Sequence, residues 1–149
     1  MGIYNCASTL QEALDSLYAQ TYQDFEIILC EDGSKDNTYE LALDNQKQHD
    51  NIVLLRNPHN MGLNQTLNNC LAVAKGEYIA RMDGDDLCDS TRFEKQVKFL
   101  DEHPEYAIIS TTALPSQIVL GLWQILLNSH SAATAETTAS ATTPKAFQP

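Results

Sequence analysis

The chain has 149 residues, about the size of one ordinary domain, and 43% of them are hydrophobic, which is typical of a globular protein. Its 20 acidic and 9 basic residues give a formal net charge of −11, which argues against nucleic acid and anionic membrane surfaces as partners. A phosphorylated ligand would therefore need a local cluster of donors or a metal ion.

Amphipathic helices alternate with short apolar runs along the first 109 residues. Apolar spacing predicts helices over residues 10–18, 38–47, 63–74 and 93–100. Short apolar runs predict strands over residues 25–30, 52–55, 78–82 and 106–109. Ser8 with Gln11, and Thr91 with Glu94, are candidate capping boxes for two of the helices.

The first strand is short, because only Met1, Gly2 and Ile3 precede Tyr4. A full strand usually has about five or six residues. We therefore expect the chain to begin inside its own sheet.

The alternation of strands and helices predicts a Rossmann-like α/β fold with a mainly parallel sheet covered by helices. Ligands of such sheets bind beyond the carboxyl ends of the strands. Three polar segments fall at predicted strand ends: "YNCAS" at residues 4–8, "EDGS" at 31–34 and "DGDD" at 83–86. We expect them to share one rim.

The last part of the chain differs in composition from the first. Residues 107–135 contain no charged residue, and residues 118–127, "IVLGLWQILL", are too few for a membrane span of roughly 20. They predict a buried or frayed helix. The Ala/Thr/Ser-rich residues 128–149 predict disorder. We expect an α/β part at residues 1–112 and an unrelated tail at 113–149.

The four cysteines form no C-x-x-C pair and match no zinc pattern. They are predicted to be buried free thiols of a protein in the reducing cytoplasm. They are Cys6, Cys30, Cys70 and Cys88.

The acidic segment at 83–86 is the candidate metal site. Asp83 and Asp85 are two positions apart, so their side chains point the same way in an extended segment, and Asp86 is adjacent. Such carboxylates suit a hard cation, Mg²⁺ or Mn²⁺, that could bridge to phosphates. The alternative is an acidic turn at the N-terminus of the next helix.

The other strand ends offer candidate ligand contacts. Asp32 can accept hydrogen bonds from a base or ribose, Tyr4 can stack on a base, and Asn5 can bond to phosphate or backbone. Gly62 opens a predicted helix whose N-terminus can face an anion. The alternatives are an Asp-Gly turn, simple packing and a Pro-containing loop.

Together these motifs resemble family 2 glycosyltransferases, of the type that builds bacterial surface polysaccharides. The resemblance lies in "YNCASTLQEALDSLYAQTYQDFEIILCEDGSKDNT", "NMGLNQTLNNCLAVAKGEYIARMDGDD" and "RFEKQVKFLDEHPEYAIIS", and covers about residues 1–112. It implies the GT-A fold, with residues 1–112 as the nucleotide-sugar-binding half of such a domain. It also implies a nucleotide-diphospho-sugar donor that is usually UDP-linked, and a divalent metal ion.

The resemblance also implies roles for single residues. Tyr4 would lie against the nucleoside, Asp32 would bond the base, and Glu12 would lie near the donor. Asp83 and Asp85 would form the D-x-D motif, which touches the ribose and the metal-bound diphosphate, and Asp86 would support them. The implied reaction is inverting sugar transfer to a carbohydrate or lipid-linked acceptor. The protein would act in the cytoplasm, with at most peripheral association at the inner face of the membrane.

Two alternatives stay open at this point. After Tyr106 the sequence has one carboxylate, Glu136, and no family motif surrounds it. No catalytic base is therefore assigned. The chain is either a transferase or an inactive, truncated remnant of one. The change near residue 112 also fits a shifted reading frame. A dinucleotide-binding domain would need a G-x-G-x-x-G motif after the first strand, and residues 4–9 contain no glycine.

Overall fold

The structure is a computed structural model that describes residues 1–111 and 123–127, with side chains described for residues 1–109. Helices and strands alternate along the first part of the chain as predicted. The strands are β1 (Gly2–Ile3), β2 (Ile27–Glu31), β3 (Ile52–Arg56), β4 (Tyr78–Ala80), β5 (Ile108–Thr111) and β6 (Trp123–Leu127). The helices are α1 (Leu10–Tyr18), α2 (Thr38–Gln48), α3 (Leu63–Val73) and α4 (Arg92–Glu102).

The first sheet is parallel, as the alternation predicts, with the order β1-β2-β3. β2 pairs with β3 along its whole length, from Ile27 opposite Ile52 to Glu31 opposite Arg56. β1 pairs with β2 only through Gly2 and Ile3. β2 lies between two strands and is mostly buried, which explains its continuous apolar sequence.

The core lies between this sheet and the helices. Its buried side chains come from every part of the βα repeat and include Ile3, Leu10, Ala13, Leu14, Leu17, Ile27, Leu29, Ala42, Ile52, Met82 and Phe93. The four from α1 repeat at helical spacing, so one face of that helix is apolar.

The second sheet is antiparallel and was not predicted. Its order is β4-β6-β5. β4 was expected to continue the parallel sheet, but instead it pairs with β6, with Tyr78 opposite Leu127. The helix prediction for residues 118–127 is wrong at Trp123–Leu127, which form β6. An apolar run of five residues does not distinguish helix from strand by its periodicity, and pairing on both edges decided the outcome.

Both predicted capping boxes are wrong. The N-cap residues of α1 and α4, Thr9 and Thr91, make no side-chain capping hydrogen bond. At α4 the amide of Phe93 instead donates to the side chain of Gln20, which follows α1. The Asp89 carboxylate, two residues before Thr91, accepts from the Thr91 amide at 3.0 Å, so α4 begins with one local and one distant contact.

The remaining predictions have mixed outcomes. All four cysteines are free thiols, and three of them are buried, while Cys88 is partly exposed. Of the described helices, none has both the length and the apolar character that crossing a membrane requires. The expected boundary at residue 112 and the expected disorder of residues 128–149 concern parts outside the described residues, and they stay predictions.

Candidate functional site

The carboxyl ends of β1 and β2 are joined by backbone and side-chain hydrogen bonds. The Asp32 amide donates to the carbonyl of Ile3 at 3.0 Å. Beyond the strands, the Asn5 amide donates to Ser34 Oγ at 3.0 Å, and Asn5 Oδ1 accepts from the Lys35 amide at 2.9 Å. Asn5 has a positive φ of 49°, a conformation that asparagine tolerates better than most residues. "YNCAS" and "EDGS" therefore form one surface.

Asp36 forms a second set of hydrogen bonds between the β1–α1 loop and the start of α2, which the sequence did not reveal. Its carboxylate accepts from the Ala7 amide at 3.1 Å and from the Thr38 hydroxyl at 2.6 Å, and Thr38 Oγ1 in turn accepts from the Cys6 amide at 2.9 Å. The bond from the Thr38 hydroxyl is the main reason that the pKa of Asp36 lies below its usual value. The signal in the sequence for this contact is an Asp two residues before a Thr at the start of a predicted helix.

The "DGDD" segment packs directly against the β1–α1 loop through Gly84. A Cβ atom at this position would lie 2.8 Å from Cys6 Sγ and 3.3 Å from Ile3 Cγ2, so only glycine fits without displacement. The Thr9 hydroxyl also donates to the Gly84 carbonyl at 3.1 Å. Of the three polar segments predicted to share a rim, "YNCAS" therefore contacts both "EDGS" and "DGDD".

Asp32 is buried beneath this rim, with 4% of its surface exposed. Its Oδ1 accepts from Asn57 Nδ2 and from the Met61 amide, both at 2.7 Å, and its Oδ2 accepts from the Gly62 amide at 3.0 Å. Burial by itself raises the pKa of Asp32, but these hydrogen bonds outweigh it, so the pKa of the carboxyl is lowered. The anion that the α3 N-terminus faces is thus Asp32 itself.

Asn57 is the link that the sequence analysis missed. It is buried, and besides Asp32 its amide group bonds to Thr66 Oγ1 at 2.9 Å and accepts from Asn69 Nδ2 at 2.8 Å. It thereby ties the end of β2 to two turns of α3. Its position in "RNPHN", directly after a strand, is a weak signal because asparagine is also a common turn residue.

The three carboxylates of "DGDD" have different surroundings. Asp83 forms an ion pair with Arg81 at 3.2 Å, and both side chains are partly exposed. Asp85 is exposed, whereas Asp86 is buried with 6% of its surface exposed. Burial, followed by the charges of Asp83 and Asp85, raises the pKa of Asp86. Arg92 also interacts electrostatically with Asp86, so the three carboxylates of the segment stand against two arginines.

The carboxylates of "DGDD" are the candidate ligands of a metal ion. Within the described residues, no group of three or more His, Cys, Asp or Glu side chains is placed to hold one. Asp83 and Asp85 both offer carboxylates that solvent can reach, which suits a cation that takes its remaining ligands from water and phosphate. The chemistry of the donors thus fits a hard cation shared with a ligand.

Tyr4 and Glu12 are at the surface. Tyr4, directly before Asn5, has 44% of its surface exposed. Glu12 lies in the first turn of α1, is exposed, and forms no hydrogen bond or ion pair to the other predicted site residues in the described part of the chain. The hydrogen bonds of the adjacent Asn5 place Tyr4 at the rim. Glu12 is placed near the rim only by its position in the first turn of α1.

The family model described as glycosyl transferase family 2 matches residues 1–139. The chain belongs to glycosyltransferase family 2. Two curated proteins are similar in sequence. One is EpsE of Bacillus subtilis (strain 168), named as a glycosyltransferase, which is 46% identical over 115 residues. That match covers 76% of this chain and 41% of EpsE.

The second relative is WfaP of Escherichia coli, named as a UDP-Glc:alpha-D-GlcNAc-diphosphoundecaprenol beta-1,3-glucosyltransferase. It is 31% identical over 117 residues, which cover 78% of this chain and 46% of WfaP. The family 2 chain described here therefore spans less than half the length of these two relatives.

A solved structure confirms the predicted GT-A fold. The mannosyltransferase PcManGT of Pyrobaculum calidifontis, in complex with GDP-Man and Mn²⁺, superposes with a TM-score of 0.75 at 22% identity. The match covers 85% of this chain and 42% of PcManGT. At this level of identity the likeness establishes the fold of the family 2 chain alone.

Proposed function

We propose that this chain binds a nucleotide-diphospho-sugar, UDP-linked as in the name of WfaP, at the rim formed by residues 4–8, 31–34 and 83–86. The observation that carries the proposal is the contact between the three strand ends, which the glycine at position 84 and the bonds of Asn5 and Thr9 hold together. In an open α/β sheet this edge is where ligands bind.

The described contacts assign different tasks to the rim residues. The exposed ring of Tyr4 offers a stacking face for the base. Asp32 is fixed by two backbone amides and Asn57, so its carboxylate would meet the base in one orientation. Asn5 already bonds Ser34 and Lys35, so it would shape the loop beside the donor. Glu12 would lie at the outer edge of the site.

Asp83 and Asp85 would hold a divalent cation, Mn²⁺ or Mg²⁺, and Asp86 would support them from below. The unbalanced negative charge of this segment supports the proposal, as does the Mn²⁺ in the complex of PcManGT. When bound, the cation would supply positive charge that stabilises the diphosphate leaving group. Arg81 would keep the Asp83 carboxylate oriented toward the rim.

For the whole protein we propose inverting transfer of the sugar to an acceptor hydroxyl in polysaccharide synthesis. In this reaction the acceptor oxygen bonds to the anomeric carbon while the bond to the nucleotide diphosphate breaks, and a base takes the hydroxyl proton. The WfaP name, which specifies a lipid-linked acceptor, supports a carbohydrate or lipid-linked acceptor and a cytoplasmic site at the inner face of the membrane.

A second candidate function is donor binding without transfer. The observation that favours it is that Glu136 is the only carboxylate after Tyr106, and it lies outside the described residues. Release of UDP from UDP-glucose in the presence of Mn²⁺ separates the two functions. Steady release supports transferase-type turnover, and binding without release supports the second candidate.

Isothermal titration calorimetry with UDP tests the proposal. The wild-type chain is expected to bind UDP in the presence of Mn²⁺ and to lose at least tenfold in affinity, about 1.4 kcal/mol, when EDTA removes the metal. Asp85→Asn is expected to show the same loss, because it removes one carboxylate that would hold the cation.

Asp44→Asn is the matched control, since Asp44 is an exposed carboxylate on α2 whose partner Lys47 is also exposed. It should bind UDP as the wild type does. If Asp85→Asn and Asp44→Asn bind UDP equally well with Mn²⁺, the assignment of the metal to residues 83–86 is wrong.

A further inference from the structure

Thr38 is a fully buried polar residue at the point where α2 meets the β1–α1 loop. It is the first residue of α2, and none of its surface is exposed. Its hydroxyl donates to Asp36 Oδ1 at 2.6 Å and accepts from the Cys6 amide at 2.9 Å. Because a hydroxyl carries one proton and two lone pairs, the bond to Asp36 directs a lone pair toward Cys6. Thr38 therefore holds the loop in a single orientation.

Asp36 holds the same loop one residue further along the chain. Its Oδ2 accepts from the Ala7 amide at 3.1 Å, while its Oδ1 accepts from both the amide and the hydroxyl of Thr38. Two consecutive amides of the loop, those of Cys6 and Ala7, are thus bound by Thr38 and Asp36. The Cys6 carbonyl in turn accepts from the Leu10 amide at 2.9 Å, so the loop is fixed between the starts of α1 and α2.

Cys6 is also in contact with the acidic segment at 83–86. Its Sγ fills the space beside Gly84, where a Cβ atom would lie only 2.8 Å from it. The Thr9 hydroxyl lies 3.2 Å from the Cys6 carbonyl and 3.1 Å from the Gly84 carbonyl. Because protein interiors are close-packed, a shift of Cys6 would displace Gly84 with it. The position of "DGDD" therefore depends on the position of Cys6.

The nucleoside end of the rim is fixed in a different way. The two residues of β1 pair with β2, and the Asn5 amide donates to Ser34 Oγ at 3.0 Å. These contacts set the distance between Tyr4 and Asp32 through bonds that do not include Thr38. The bonds of Thr38 therefore influence where "DGDD" lies relative to the nucleoside end, and they leave that end itself in place.

We propose that Asp36 and Thr38 are positioning residues, which hold Cys6 and thereby set the distance between the nucleoside end of the rim and residues 83–86. This role rests on the proposed function, in which the base and the metal-bound diphosphate occupy opposite ends of the rim. Base and diphosphate are covalently linked in UDP, so both ends contribute fully to affinity only when their separation matches that of the nucleotide. A rim that is ordered before binding also loses less conformational entropy when UDP binds.

Thr38→Val and Thr38→Ser test the proposal with two probes, UDP with Mn²⁺ and uridine alone. Valine lacks the hydroxyl, so the Cys6 amide loses its acceptor. Thr38→Val is expected to weaken UDP binding at least tenfold, whereas uridine, which reaches only the nucleoside end, should bind within about twofold of the wild type. Thr38→Ser keeps the hydroxyl and should bind UDP within about twofold of the wild type. Calorimetry measures UDP binding and an NMR titration measures uridine binding, both well below the Tm of each variant.

Asp36→Asn decides the matter if Thr38→Val does not fold, because Asp36 is exposed. An asparagine accepts at only one of its two ends, so UDP binding should fall at least threefold while uridine binding stays unchanged. Asp44→Asn, at an exposed carboxylate of the same α2, should bind both probes as the wild type does. Wild-type affinity for UDP in the variants, or an equal loss for UDP and uridine, would overturn the positioning role alone. No UDP binding by the wild type would overturn the proposed function and this role with it.

Discussion

At the scale of single residues, Asp32 shows how one carboxylate can serve both fold and site. From the sequence it was a candidate contact to the base, and the alternative was an ordinary Asp-Gly turn. In the structure it is buried and accepts hydrogen bonds from Asn57 and from the amides of Met61 and Gly62. It therefore fixes the loop before α3 whether or not a ligand is present.

Asp32→Asn is expected to lower the free energy of unfolding by about 2 kcal/mol. Hydrogen bonds to a charged group contribute about 1.5–3 kcal/mol each, and an amide can accept at only one of its two ends. Urea unfolding monitored by circular dichroism measures the change. Asp44→Asn, at an exposed carboxylate, should stay within about 0.5 kcal/mol of the wild type.

The same residue predicts a dependence on pH. The folded pKa of Asp32 lies below the ordinary value of 3.8, so its contribution is complete above that value and is lost as pH falls through the lower folded pKa. The difference in unfolding free energy between the wild type and Asp32→Asn should thus be constant near neutral pH and shrink below about pH 4. A difference that grows on acidification would contradict this assignment.

At the scale of elements, the start of α4 depends on α1. Gln20 is buried, its Oε1 accepts from the Phe93 amide at 3.1 Å, and its Nε2 donates to the Asp89 carbonyl at 2.7 Å. The neighbouring Thr21 amide donates to the Ser90 carbonyl at 2.7 Å. The chain between "DGDD" and α4 is thereby attached to the end of α1.

Gln20→Ala is expected to destabilise the protein by about 1–3 kcal/mol, because it leaves the Phe93 amide and the Asp89 carbonyl without their partner. Thermal unfolding followed by circular dichroism measures the loss. Gln48→Ala is the matched control, since its side chain is exposed and bonds only within α2. Equal Tm values for the two variants would show that the Gln20 bonds do not stabilise the fold.

At the scale of the whole molecule, net negative charge opposes the compact state. The formal charge of −11 is spread over a chain whose described ion pairs are mostly exposed and so contribute little each. The acidic rim adds to this repulsion. A protein of this kind is stabilised by counterions, which screen the repulsion between its carboxylates.

Sodium chloride is therefore expected to raise Tm by a few degrees as its concentration increases from about 0.02 to 0.2 M, a range in which screening between exposed charges becomes strong. Differential scanning calorimetry measures the shift. Asp50→Lys, which reverses one exposed charge, should respond less to salt than the wild type. A fall in Tm with added salt would show that attractive pairs dominate instead.

The order of the elements could be predicted from the sequence because it depends on local patterns. Apolar residues at helical spacing predicted α1 to α4, and the alternation of helices with short apolar runs predicted a mainly parallel sheet, which β1, β2 and β3 form. Since parallel strands end at one edge, the meeting of residues 4–8 and 31–34 also followed from the sequence. Residues 83–86 reach residues 4–8 from the antiparallel sheet, through Gly84. Family membership was predicted from the same motifs and is confirmed by the family match.

Only the tertiary structure decided the pairings between groups that lie far apart in the chain. The antiparallel partner of β4, the cap that Gln20 gives to α4, and the amides that hold Asp32 all join residues separated by at least 29 positions. Local patterns carry no information on such pairs, because each group is equally well satisfied by water in the unfolded chain. The fold selects its partner once burial has removed the water.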